Sequence, residues 1–113
     1  TKPYAEKDLA YIDIYQKFYN EVVKEYPKLK DVAFFRLAYA YFFILDKMLL
    51  DENFKEFKDF PRIYRYLKQH AFAIFKNDIF RKGRRISALA LFVNVGLYRI
   101  LLFKNIEQSK KIN

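Results

Sequence analysis

Between residues 28 and 50 the chain is built mostly of apolar side chains that return every three or four positions. Leu29, Ala33, Leu37, Ala40, Ile44 and Met48 form one stripe, and Val32, Phe35, Tyr39, Phe42 and Phe43 form a second beside it. No charge interrupts the run from Leu37 to Leu45. Apolar residues at this spacing share a helix face, and a helix apolar over most of its circumference is buried between neighbours. The pattern predicts a central helix over about 28–50. Ala33, Ala38 and Ala40 are small enough to let other helices come close.

The flanking segments agree with an all-α reading. Leu9, Ile12, Tyr15, Tyr19, Val22 and Tyr26 predict a helix over 5–26, ended by Pro27, which lacks an N–H and restricts the residue before it. Phe54, Phe57 and Phe60 predict one or two helical turns resting on the core. Pro61 suits a helix start, and Ile63, Leu67, Ala71 and Ile74 predict a helix from there to about Lys76. A last helical stretch is expected over about 84–104, with Asn94 and Gly96 as candidate breaks. The tail NIEQSKKIN has no core pattern and is expected to fray. With two Gly and three Pro, the chain lacks the turn residues of a sandwich or barrel. The expected fold is one helical domain over 1–113, a compact bundle of four to five helices.

The composition narrows the chemistry. Cysteine is absent, which removes disulfides, thiolate metal sites and cysteine nucleophiles. His70 is the single histidine, so no multi-histidine metal site exists. It lies among apolar helix positions with no Ser and Asp pattern beside it, and reads as a structural or surface residue. Asp46 is the one carboxylate in an apolar context, expected to pair with Lys47 or Lys30 or to reach water. The two glycines are isolated at 83 and 96, so there is no glycine-rich phosphate loop. No catalytic, metal or cofactor residue is assigned.

Charge is distributed unevenly. Residues 1–60 hold ten Lys/Arg and eleven Asp/Glu, whereas residues 61–113 hold twelve and two, a net charge of +10. Such asymmetry predicts an anionic partner for the second half. The strongest local feature is Arg81, Lys82, Arg84 and Arg85, four cations in five residues. Near acidic lipid each is worth about 1 kcal/mol, so four reach about 4 kcal/mol, and a hydrophobic element would have to add to them. Arg62, Arg65 and Lys68 are expected to extend the same cationic face. Aromatic residues alternate with arginine over 60–66, which suggests base stacking, but no known nucleic-acid-binding module matches.

A candidate hydrophobic element follows directly, Ile86 to Phe103. It is 18 residues long with Asn94 and Arg99 inside it. A spanning helix needs about 20 apolar residues, and a central arginine costs roughly 2.5–3.5 kcal/mol. Spanning is therefore not expected. Two readings remain: Leu89, Phe92, Val93, Leu97 and Ile100 enter the core, or part of the segment lies in a membrane interface beneath lipid phosphates.

The ordered set RLAYAYFFILDKML, FPRIYRYLKQHAFAIFKND and KGRRISALALFVNVGLYRILLFK resembles the C-terminal region of family 2 glycosyltransferases of bacterial cell-surface polysaccharide synthesis. The ending Leu97-Tyr98-Arg99-Ile100-Leu101-Leu102-Phe103-Lys104 and the junction Tyr26-Pro27-Lys28-Leu29-Lys30 carry the likeness, which covers residues 10–104. The resemblance implies a parent enzyme that uses a nucleotide-sugar and a divalent cation held by an Asp-X-Asp motif in an α/β core N-terminal to this region. This chain has no such motif, so no catalytic residue carries over. Met48 is the only methionine, and the chain reads as the C-terminal fragment of a longer protein. The implied role is accessory: to buttress the catalytic core and to meet the anionic cytoplasmic face of the membrane, with self-association expected in isolation. The alternative is a free-standing basic helical module for nucleic acid or a protein partner.

Overall fold

The computed structural model describes residues 4–112, with side chains over 4–107. Six α-helices form the described fold: α1 (Ala10–Glu25), α2 (Lys30–Leu49), α3 (Phe60–Gln69), α4 (Ala71–Lys76), α5 (Lys82–Val93) and α6 (Val95–Ile112). Short 3-10 turns at Glu6–Leu9, Pro27–Leu29 and Phe54–Glu56 complete it, and no strand occurs among the described residues.

As the spacing predicts, α2 is the central element. Ten of its residues are buried, including Leu37, Phe42, Ile44, Leu45 and Met48. It packs on α1 and α3, while α5 packs on α3, α4 and α6. Removing a side chain such as Leu45 from water stabilises the fold by about 1.5–3 kcal/mol. Ile12 and Val22 bury the inner face of α1, and Tyr26 and Leu29 at the turn after it stay exposed. Phe54 and Phe60 seal one end of the core, with ring centroids 5.3 Å apart in an edge-to-face pair.

The helix expected over 61–76 divides at His70, whose backbone leaves the helical region. Ile63, Leu67, Ala71 and Ile74 are nevertheless all fully buried, so the inward face continues across the division. The His70 Nδ1–H donates to the Tyr66 carbonyl oxygen at 2.8 Å, and its ring stacks on Tyr66 at 4.2 Å. His70 is thus a structural residue at a helix junction.

The last stretch divides at Asn94, which is extended (φ −166°, ψ 132°). Its Oδ1 accepts the Gly96 N–H at 2.6 Å and so caps the start of α6. A Cβ on Gly96 would lie 2.9 Å from that same oxygen and would push the capping side chain aside. Helix α6 continues through this tail as far as Ile112, and Asn113 lies outside the described residues.

One expectation for this stretch is overturned. Phe92, Val93, Leu97 and Ile100 do not enter the core; they are exposed, Val93 by 72%, and Leu89 is only partly covered. Ser87, Ala88, Ala90, Leu91 and Tyr98 face inward in their place. Polar partners set this rotation. Arg99 Nε donates to the Leu49 carbonyl oxygen at 2.9 Å, and Tyr98 reaches Asp46. Small Ala88 and Ala90 then let α5 lie close to its neighbours.

Candidate functional site

The basic run at the start of α5 divides by direction. Arg81, the residue before the helix, and Lys82, its first residue, are exposed. Neither has an ion-pair partner among the described residues. Arg85 donates through Nε to the Phe75 carbonyl oxygen, its guanidinium lies 5.4 Å from the Phe75 ring centroid, and Asp78 stands 3.8 Å away.

Arg84 departs from the expectation of a surface cation. It turns inward, where Nη2 donates to Asp46 Oδ2 at 3.0 Å and Nη1 donates to Tyr98 Oη at 2.6 Å. Tyr98 Oη in turn donates to Asp46 Oδ1 at 2.6 Å, which closes a three-membered network joining α2, α5 and α6. The Arg84 guanidinium also sits 4.8 Å from the Phe42 ring centroid and 5.5 Å from that of Tyr39. Burial works against the arginine's charge, but the Tyr98 oxygen and the Asp46 carboxylate outweigh it and hold its pKa above the ordinary guanidinium value. Burial, reinforced by the Asp46 charge, holds the Tyr98 phenol well above its usual range. Burial also raises Asp46, against the pull of Arg84 and Tyr98.

Asp46 was expected to meet Lys47, Lys30 or water, and pairs with Arg84 instead. Lys47 pairs with Asp8, 3.2 Å away in the turn before α1. Helix geometry explains the exchange: adjacent residues point about 100° apart and do not face each other.

Arg62, Arg65 and Lys68 lie on the exposed side of α3. No hydrogen bond or ion pair among the described residues joins them to the 81–85 run. The aromatic residues between them are engaged internally. Tyr66 stacks on Tyr41 at 3.7 Å, and Tyr64 stacks on Phe60 at 5.7 Å.

Two surfaces therefore stand out near the start of α5. The first is the outer side of the late segment, where Lys82, Ile86 and Val93 share one helix face and Leu97 and Ile100 follow on α6. Phe72 of α4 touches Phe92 edge to face at 5.0 Å on a different side of α5. The second is a cleft of about 680 Å³ between α1, α2, the start of α5 and α6. Arg36, Tyr39, Arg81, Gly83, Arg84 and Tyr98 are among its lining residues. The sequence left Arg36 unassigned and placed Tyr39 in the second apolar stripe of the central helix, but Tyr39, Val32 and Phe43 of that stripe are exposed because no helix covers that side of α2 fully. Arg36 and Tyr39 sit on α2, three residues apart, and only the fold brings them opposite the α5 run.

Among the described residues no group of three or more His, Asp or Glu is placed to hold a metal ion. Nor is any described helix long and apolar enough to cross a membrane. No protein-family model matches the chain, and no curated protein or solved structure is significantly similar to it.

Proposed function

We propose that this chain is the non-catalytic C-terminal accessory domain of a family 2 glycosyltransferase, buttressing the catalytic core and resting against an anionic membrane surface. The family assignment rests on the resemblance of residues 10–104. The membrane role rests chiefly on the exposed apolar side chains Ile86, Val93, Leu97 and Ile100 of α5 and α6, the segment that the exposed cations Arg81 and Lys82 open. Apolar side chains that enter the headgroup boundary supply the term that two cations, worth about 1 kcal/mol each near acidic lipid, do not supply alone. The net charge of +10 over residues 61–113 favours an anionic surface over a neutral one.

Co-sedimentation with vesicles containing about 20% anionic lipid tests the membrane role. Binding that falls with salt, weakens in Arg81→Gln/Lys82→Gln and disappears in Val93→Asp/Leu97→Asp is expected. No binding, or binding that ignores both variants, overturns it. The enzyme assignment is tested by the parent reading frame, in which an α/β domain with an Asp-X-Asp motif is expected ahead of Thr1. A salt-dependent shift with single-stranded RNA, lost in Arg62→Gln/Arg65→Gln, would favour the basic-module alternative.

A further inference from the structure

The cleft beside the start of α5 has an electrostatic imbalance. Three guanidinium groups line it, Arg36 from α2 and Arg81 and Arg84 from the α5 start, and no carboxylate does. The nearest acid in the hydrogen-bond network, Asp46, lies beneath Arg84 and is engaged by it and by Tyr98. Arg36 and Arg81 are exposed and have no ion-pair partner among the described residues. Cations gathered around one concavity repel each other, and a bound anion relieves that repulsion.

The backbone adds to this field. Helix α5 has 12 residues and no side chain capping its first amides, so its positive end is left to water or to a ligand. Gly83 lines the cleft, and a Cβ built there would meet nothing within 4 Å. An oxyanion can therefore approach the backbone at Gly83 without obstruction. Arg84 is pre-set: two of its five N–H donors are fixed on Tyr98 and Asp46, which holds the planar fork in one orientation.

The sides supplied by α1 and α2 are rich in aromatic rings. Tyr39 and Phe43 from α2 line the cleft together with Tyr11 of α1, whose ring meets Phe43 edge to face at 5.6 Å. A volume of about 680 Å³ lies within the usual range of small-molecule sites, roughly 300–1,000 Å³. The cleft thus combines guanidinium groups that suit an oxyanion with aromatic faces that suit a planar or apolar body. From this juxtaposition we infer that the cleft binds a phosphate ester, with the phosphate between Arg36, Arg81 and the Gly83 backbone and the ester's organic part against Tyr11, Tyr39 and Phe43. The phosphate ester comes either from a free small molecule or from a lipid headgroup.

Amide NMR of the full chain tests the site, with phenyl phosphate, monomeric dihexanoyl phosphatidic acid and inorganic phosphate as probes. Saturable shifts at the Gly83 and Arg84 amides are expected with at least one organic phosphate, about tenfold tighter than with inorganic phosphate. Arg36→Gln/Arg81→Gln, both at exposed positions, should weaken that binding by about tenfold or more while leaving the unfolding midpoint in place. Preference for phenyl phosphate assigns a free ligand, and preference for the short-chain lipid assigns a headgroup. Absence of saturable shifts at Gly83 with both organic probes, or equal affinity in the double variant, overturns the inference. Arg81 takes part in both surfaces, so Arg36→Gln alone, at a position outside the outer apolar surface, separates failure of this site from failure of vesicle binding.

Discussion

Asp46 and Lys47 are neighbours on α2, yet they fasten opposite ends of the chain in different ways. Lys47 reaches a single partner, Asp8, whose Oδ2 also accepts the Ala5 N–H at 2.9 Å. That contact pins the turn ahead of α1. Asp46 instead accepts from both Arg84 and Tyr98 and ties α5 and α6 to the central helix. The first pair fixes where a terminus lies. The second fixes how the late segment is rotated, and so decides which apolar residues remain outside. Hydrophobic content alone does not settle that choice, because Phe92, Val93, Leu97 and Ile100 are as apolar as the residues that are buried.

The largest effect should come from Asp46→Ala. It removes the acceptor shared by Arg84 and Tyr98 and leaves a half-buried arginine side chain, 24% exposed, without its counter-charge. A loss of about 3 kcal/mol in unfolding free energy is expected by denaturant titration, and Asp46→Asn, which keeps an acceptor, should lose less. Equal losses in the two variants would show that hydrogen bonding to this position is unimportant. At the other end, Asp8→Asn should cost less, about 1 kcal/mol, because the amide keeps an acceptor for the Ala5 N–H and weakens a single ion pair. A loss as large as that of Asp46→Ala would erase the contrast between the two joints.

The smallest effect separates the joints by the sign of their pH dependence. The Ala5 N–H and Lys47 hold Asp8 below the ordinary carboxylate value of 3.8 despite its burial. Its contribution to stability is therefore present above that value and is lost as pH falls through the lowered folded pKa. Burial raises Asp46 above 3.8, so the fold binds its proton more tightly than the unfolded chain does. That contribution is fully present below 3.8 and is lost as pH rises through the raised folded pKa. Acidification should narrow the stability gap between wild type and Asp8→Asn. Over the window between the raised pKa and 3.8 it should move wild type favourably against Asp46→Asn. Unfolding curves at several pH values check this, and slopes of the same sign would contradict it.

Much of the fold was legible because its signals are local and periodic. Ile63, Leu67, Ala71 and Ile74 repeat at helical spacing, and all four are buried even though the helix divides at His70. Asn94 and Gly96 announced the second division through residue type alone. The site was far less legible. A run of four cations reads as one surface, and nothing local says that Arg84 will turn inward. Its partners stand 38 residues earlier and 14 residues later in the chain, so the network exists only once α2, α5 and α6 are packed. The available hint was that Asp46 is the only acid within an apolar run. The same long-range packing creates the cleft, since Arg36 and Arg81 come to line one concavity through tertiary structure and not through sequence.

The division of the basic run into an interior arginine and free surface cations is tested most directly by thermal unfolding of two variants side by side. Arg84→Gln should lower the midpoint by about 5–15 °C, because it empties the joint between α2, α5 and α6. Arg81→Gln/Lys82→Gln should leave the midpoint within about 3 °C of wild type, as expected for exposed side chains without partners. Equal midpoints for the two variants, or a greater fall in the double variant, would contradict the division.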